Sequence, residues 1–101
     1  MTFPTKQELA AEVSTAFHVV DADGVSLQLT EVRDGRSSVD LEQFSAFFRG
    51  APGVAFAQGT YLLRHDALGD VEIFLVPIER DGDSFVLEAA VSRLTRTAAG
   101  V

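Results

Sequence analysis

The sequence predicts a mainly β domain, a small antiparallel barrel or roll of about six strands behind one short N-terminal helix. Three observations predict it. Apolar and polar residues alternate with a period of two over much of 15–94, as in strands with one covered face. Turn sequences with hairpin chemistry, Asp21-Ala22-Asp23-Gly24, Asp66-Ala67-Leu68-Gly69 and Asp81-Gly82, interrupt the alternation. A helix-start signal stands near the beginning, where Thr5-Lys6-Gln7-Glu8 has the spacing of a capping box.

The helix should run over 5–13, with Leu9 and Val13 four apart on one face. At about two turns it is held mainly by packing onto the sheet. From Thr15 the period becomes two. Phe17 and Val19 oppose His18 and Val20, and beyond the first turn Val25, Leu27 and Leu29 alternate with Ser26, Gln28 and Thr30. The segment 33–38 is polar and reads as a loop. Residues 41–49 fit either period, because Phe44 and Phe48 suit a helix while Phe44, Ala46 and Phe48 suit a strand. A strand is favoured, with Phe47 on the opposite face. Gly50-Ala51-Pro52-Gly53 breaks it, and Val54 and Phe56 are apolar anchors in the following loop.

The centre of the chain is the hairpin over 58–77. Tyr61, Leu63 and His65 share one face of its first strand, and Thr60, Leu62 and Arg64 the other. Its second strand is apolar on both faces: Val71, Ile73 and Leu75 on one, Phe74 and Val76 on the other. Such a strand is normally covered on both sides. Pro77 has no amide to donate, so the strand should end or bulge there. Phe85, Leu87, Ala89 and Val91 mark the last strand, and 95–101 reads as a tail.

A length of 101 residues suits one domain, 1–101, with an unaided core. The chain has no cysteine, so disulfides, thiolate metal ligands and a cysteine nucleophile are all ruled out. A net charge of −7, with Lys6 the sole lysine and seven scattered arginines, argues against nucleic-acid and anionic-membrane partners. Neither a signal-peptide pattern nor an apolar run of about 18 residues is present. Cytoplasmic synthesis is the default expectation, with non-classical export left open.

The chemical candidates are few. His18 and His65 each precede aspartates, but their spacing matches no metal-ligand pattern. The Asp-Gly turns lack the further ligands of an EF-hand. No G-x-S-x-G turn offers a serine nucleophile. Glu72 and Glu88 could oppose each other as a carboxylate pair, though a solvated sheet face is the simpler reading. Arg49 through Gly53 offers a minimal anion cradle, and an arginine paired with an acid explains it as well. No catalytic residue, metal site or cofactor follows from these residues.

Phe44-x-x-Phe47-Phe48-Arg49-Gly50, Gln58-Gly59-Thr60-Tyr61, His65, Leu68-Gly69 and Phe74-Leu75-Val76-Pro77 together span about a third of the chain. This pattern resembles an uncharacterised bacterial family of small domains of unknown function, loosely associated with phage-tail-like collar and fibre proteins. The resemblance implies an accessory or assembly role and brings no catalytic residues with it.

Two functions are therefore expected. In the first, the domain is a non-enzymatic binding or assembly module. Phe47, Phe74 and Val76 then form an interaction surface covered by the helix, by a protein partner or by self-association. In the alternative it is a small-molecule- or metal-binding barrel, enzymatic in its strongest form, with Tyr61, Arg64 and His65 around a concave site.

Overall fold

The computed structural model describes residues 4–35 and 41–94, with side chains through Ser92. One helix, α1 (Lys6–Ala10), is followed by six strands: β1 (Ala16–Val19), β2 (Ser26–Asp34), β3 (Leu41–Gly50), β4 (Gly59–His65), β5 (Gly69–Asp81) and β6 (Ser84–Leu94). All pairings are antiparallel, and the sheet closes into a ring in the order β1-β2-β3-β6-β5-β4. This is the mainly β class with a single short helix that the alternation predicts. The tail expected over 95–101 and residues 36–38 of the expected loop lie outside the described residues. Arg33 and Asp34, expected in that loop, instead extend β2, because they pair with Ser45 and Phe44 of β3.

The ring consists of two three-stranded meanders, β1–β2–β3 and β4–β5–β6, joined by two non-local pairings. One is extensive, from Leu41↔Leu94 to Arg49↔Val86 between β3 and β6. The other consists of His18↔Arg64 and Val19↔Leu63 between β1 and β4. The β3–β6 seam carries the assembly, and β1–β4 completes the closure.

Residues 41–49 are a strand because β3 has a neighbour on each side. Phe44, Ala46 and Phe48 point inward and are buried, while Ser45, Phe47 and Arg49 face outward and are partly covered. Thr30 is an extra residue between Leu29↔Phe48 and Glu31↔Phe47. Its hydroxyl donates to the Phe47 carbonyl at 3.1 Å, so the bulge keeps one of its polar groups satisfied.

Strand β5 does not end at Pro77. It pairs with β4 from Gly69 to Leu75 and with β6 from Val76 to Asp81, with Ile78 the extra residue between Pro77↔Leu87 and Glu79↔Val86. The missing proline amide is accommodated where the strand changes partners. The resulting bulge lets one strand serve both sides of the barrel.

The helix is shorter than the 5–13 expected. The capping box forms as predicted: Thr5 Oγ1 accepts from the Glu8 amide at 3.0 Å, and the Thr5 amide donates to Glu8 Oε1 at 2.8 Å. After Ala10 the backbone turns, and Ser14 takes a left-handed φ of 80°. The Ser14 amide donates to Leu29 O at 2.7 Å, and the Leu29 amide to Thr15 O at 3.1 Å. Sheet pairing thus claims the chain before a third helical turn. Leu9 is wholly buried, whereas Val13, beyond the helix, is exposed.

The interior is filled by side chains. Phe17, Phe44 and Phe48 join Leu9, Leu27, Leu29, Leu63, Leu75 and Leu87 in full burial, each worth about 1.5–3 kcal/mol by transfer from water. Phe17 meets Phe48 edge to face, with centroids 5.4 Å apart. Phe56 enters from the 51–58 loop against Gly50, where a Cβ would collide with its ring.

Candidate functional site

Two places bring together the residues singled out in the sequence: a polar clasp at His65, and an apolar strip on the outer face of β5. His65 is the last residue of β4 and only 4% exposed. Its ring lies 4.3 Å from that of Phe17. Nδ1 accepts from the amides of Ala67 and Leu68 at 3.0 and 3.1 Å, so it carries no proton. The imidazole proton is therefore on Nε2, which donates to Thr15 Oγ1 at 2.8 Å. The Thr15 hydroxyl in turn donates to the Glu12 backbone carbonyl at 2.6 Å. The Glu12 carboxylate stands 3.6 Å from Nε2.

Hydroxyl, imidazole and carboxylate resemble the ingredients of a nucleophilic triad, but the proton order runs the wrong way. A general base needs a free lone pair on the nitrogen facing the hydroxyl and a proton on the other nitrogen. Here Nε2 holds the proton and two backbone amides occupy Nδ1. The cluster is a clasp tying the N-terminal segment to the β4–β5 turn. Gly69, with φ 74°, supplies the left-handed backbone that closes that turn.

The other candidates of the alternative site do not converge on His65. Tyr61 shares its inward face but stands four residues away, about 13 Å by strand rise, and its hydroxyl donates to the Ala57 carbonyl. Arg64 points outward and grips Asp70 through Nε and Nη2 at 2.9 and 3.2 Å. These hydrogen bonds raise the guanidinium above its ordinary value and hold the Asp70 carboxyl below the usual carboxylate range.

His18 is exposed on the outer face of β1, opposite Arg64, so a barrel wall separates it from His65. Among the described residues, no group of three or more His, Asp or Glu is placed to hold a metal ion. Glu72 stands opposite Leu62 and Glu88 opposite Val76 and Phe47, so the two carboxylates do not pair. Arg49 is bound by Asp81. Together with Gly50, Ala51, Pro52, Ser26 and Gln28 it borders an open hollow of about 270 Å³.

The second place is the outer face. Phe47, Glu88 and Val76 are consecutive cross-strand neighbours in one row over β3, β6 and β5. Phe74 lies two residues before Val76 on the same face and is 51% exposed. Phe47 is partly covered by the Arg33 guanidinium, 5.0 Å from its ring centroid; Glu31 holds that arginine at 2.9 Å. Two residues the sequence did not flag extend the strip. Ile78 is 47% exposed at the bulge, and Val86 on β6 lies diagonal to Val76. Pro77 signalled a bulge, but its consequence for Ile78 depends on the partner strand. Neither Leu9 nor Val13 covers the strip: Leu9 belongs to the buried core, and α1 packs on β2.

Fold and surface define a small, filled antiparallel β-barrel with an apolar strip on one outer wall. The chain belongs to the family described as Domain of unknown function (DUF6916), whose model matches residues 4–91. No curated protein and no solved structure matches it. No helix among the described residues is long and apolar enough to cross a membrane.

Proposed function

We propose that this domain is a non-enzymatic binding or assembly module whose contact surface is the outer face of β5 and β6. The observation that carries the reading is Phe74, a large aromatic held 51% exposed on a paired strand rather than on a loop. Val76 and Ile78 continue the apolar surface along the same strand. A side chain presented from a rigid sheet loses little freedom on contact, which favours its use as an anchor. The polar residues that could have supported chemistry are instead engaged with neighbours: His65 in the clasp, Tyr61 with Ala57, and Arg64 with Asp70.

The resemblance carried by Phe44 through Gly50, Gln58 through Tyr61 and Phe74 through Pro77 supports extending the proposal to an accessory of phage-tail-like collar or fibre proteins. The setting would be bacterial, with synthesis in the cytoplasm. Site-specific photocrosslinking in producing cells tests the reading. Benzoylphenylalanine at position 74 should give a discrete protein adduct that the same probe at exposed Asp66 does not. No adduct at 74, or equal adducts at both positions, would remove the reading.

A further inference from the structure

The strip has a surround that points to what covers it. Glu72 precedes Phe74 by two residues on the outer face, Glu79 follows the Ile78 bulge, and Glu88 stands opposite Val76. Glu72 and Glu79 have no ion-pair partner among the described residues. Glu88 accepts a hydrogen bond from Ser45 at 2.8 Å. Arg64 is committed to Asp70, Arg49 to Asp81 and Arg33 to Glu31, and the Arg80 guanidinium lies 5.3 Å from the Phe85 ring centroid. An apolar surface edged by unneutralised carboxylates is complementary to apolar side chains flanked by cations.

We propose that Phe74, Val76, Ile78 and Val86 dock a short segment of another protein in which apolar side chains are flanked by Lys or Arg. This rests on the binding-module reading and adds the chemistry of the partner. Two observations weigh against a second copy of this chain. Face-to-face pairing would set Glu72, Glu79 and Glu88 against like charges, in a protein already at −7. The strip is also small: with Phe74 half exposed, its side chains offer roughly a few hundred Å², against about 800 Å² per partner in a standard protein interface. A segment needs less.

The segment lies on the face of β5 and does not add as a strand to its edge. Beyond Leu75 the β4 pairing ends, leaving one edge of 76–81 outside the ladder. That edge is blunted by Pro77, which lacks an amide, by the Ile78 bulge, and by the adjoining charges of Glu79 and Arg80. These are features that resist strand addition.

The test is an amide NMR titration of the full chain with a short alternating Lys-Leu peptide and its Glu-Leu counterpart. The Lys-Leu peptide should shift amides of 72–79 and 84–88 saturably, and the Glu-Leu peptide should leave them unmoved. Phe74→Ser should weaken the Lys-Leu peptide by about tenfold or more. Glu72→Lys with Glu79→Lys should reverse the peptide preference. These positions are exposed, so the amide spectrum of each variant should remain dispersed.

Shifts scattered over acids elsewhere on the surface would overturn the proposal, as would equal binding of both peptides. So would concentration-dependent self-association abolished by Phe74→Ser, which would make a second copy the occupant. The two readings fail differently: an adduct at position 74 without preference for the Lys-Leu peptide removes the partner chemistry alone, whereas no adduct removes both.

Discussion

Strand β5 is apolar on both faces, and the two faces meet different surroundings. Inside, Val71, Ile73 and Leu75 are 2%, 4% and 0% exposed. Outside, Phe74 remains half in solvent and Val76 is partly covered. The difference arises from what stands opposite. The ring surrounds inward side chains with those of other strands and with Leu9, whereas the outer face offers Phe74 only the adjacent ladder and water. A doubly apolar strand implies burial on both sides only where a second layer exists, and here the single helix packs on β2.

The sharpest way to break this comparison is truncation on each face. Leu75→Ala should destabilise the fold by about 2–5 kcal/mol, the range for buried leucines. Phe74→Ala should stay within about 0.5 kcal/mol. Urea denaturation of both variants decides it: comparable losses would mean that the outer face is structural and not a contact surface.

The clasp contributes next. His65→Leu leaves the amides of Ala67 and Leu68 without their acceptor; with Ala67 exposed and Leu68 half-buried, the cost should fall at the lower end of the range for a buried group, about 1–3 kcal/mol. Hydrogen exchange at those two turn amides should accelerate more than in β4. If Thr15→Val shares the clasp, the double variant should lose less than the sum of the singles.

Gly50→Ala probes the inner wall without changing polarity. The new Cβ would strike the Phe56 ring, and overpacking of this kind costs about 1–3 kcal/mol. Thermal melts should show the loss, and Gly50→Ala with Phe56→Leu should recover part of it.

Ser14→Gly should act in the opposite direction. Removing a left-handed φ of 80° from a serine should raise stability by about 0.5–1 kcal/mol, less than the full cost of such strain because glycine loses more conformational freedom on folding. A lowered melting temperature would mean that the Ser14 side chain contributes more than its backbone strain costs.

The smallest effect belongs to the exposed Arg64–Asp70 pair. The Asp70 carboxyl is held below its ordinary value by the arginine hydrogen bond. Its contribution is present above the ordinary carboxylate range and is lost as pH falls through the lowered folded value. The difference between wild type and Asp70→Asn in thermal melts should therefore shrink in strong acid, and it should be small even at neutral pH because the pair is solvated.

How much was legible varied with the range of the interactions. The capping box at Thr5 and Glu8, the Asp-Gly turns and the alternation in β2 and β6 rest on contacts within a few residues, and each formed where the sequence predicted it. The helix end did not, because the bonds that stop it come from Leu29. His65 was noticed, yet its partners Thr15 and Glu12 lie about fifty residues away and follow no local spacing. The outer strip was half visible: Phe74 and Val76 follow from alternation, but Ile78 joins them only through a register shift against β6.

By itself the sequence determined the period of each element, which side chains share a face, and the absence of cysteine chemistry and of a strongly basic surface. These are properties of neighbouring residues and of composition. Only the tertiary structure decided which face of β5 would be inside, that β3 joins β6, and that His65 would be a satisfied clasp while Phe74 stayed exposed. Those outcomes depend on pairings between segments remote in sequence. Alternation assigns side chains to two faces, but the strands and the helix that close around one of them determine which face is buried.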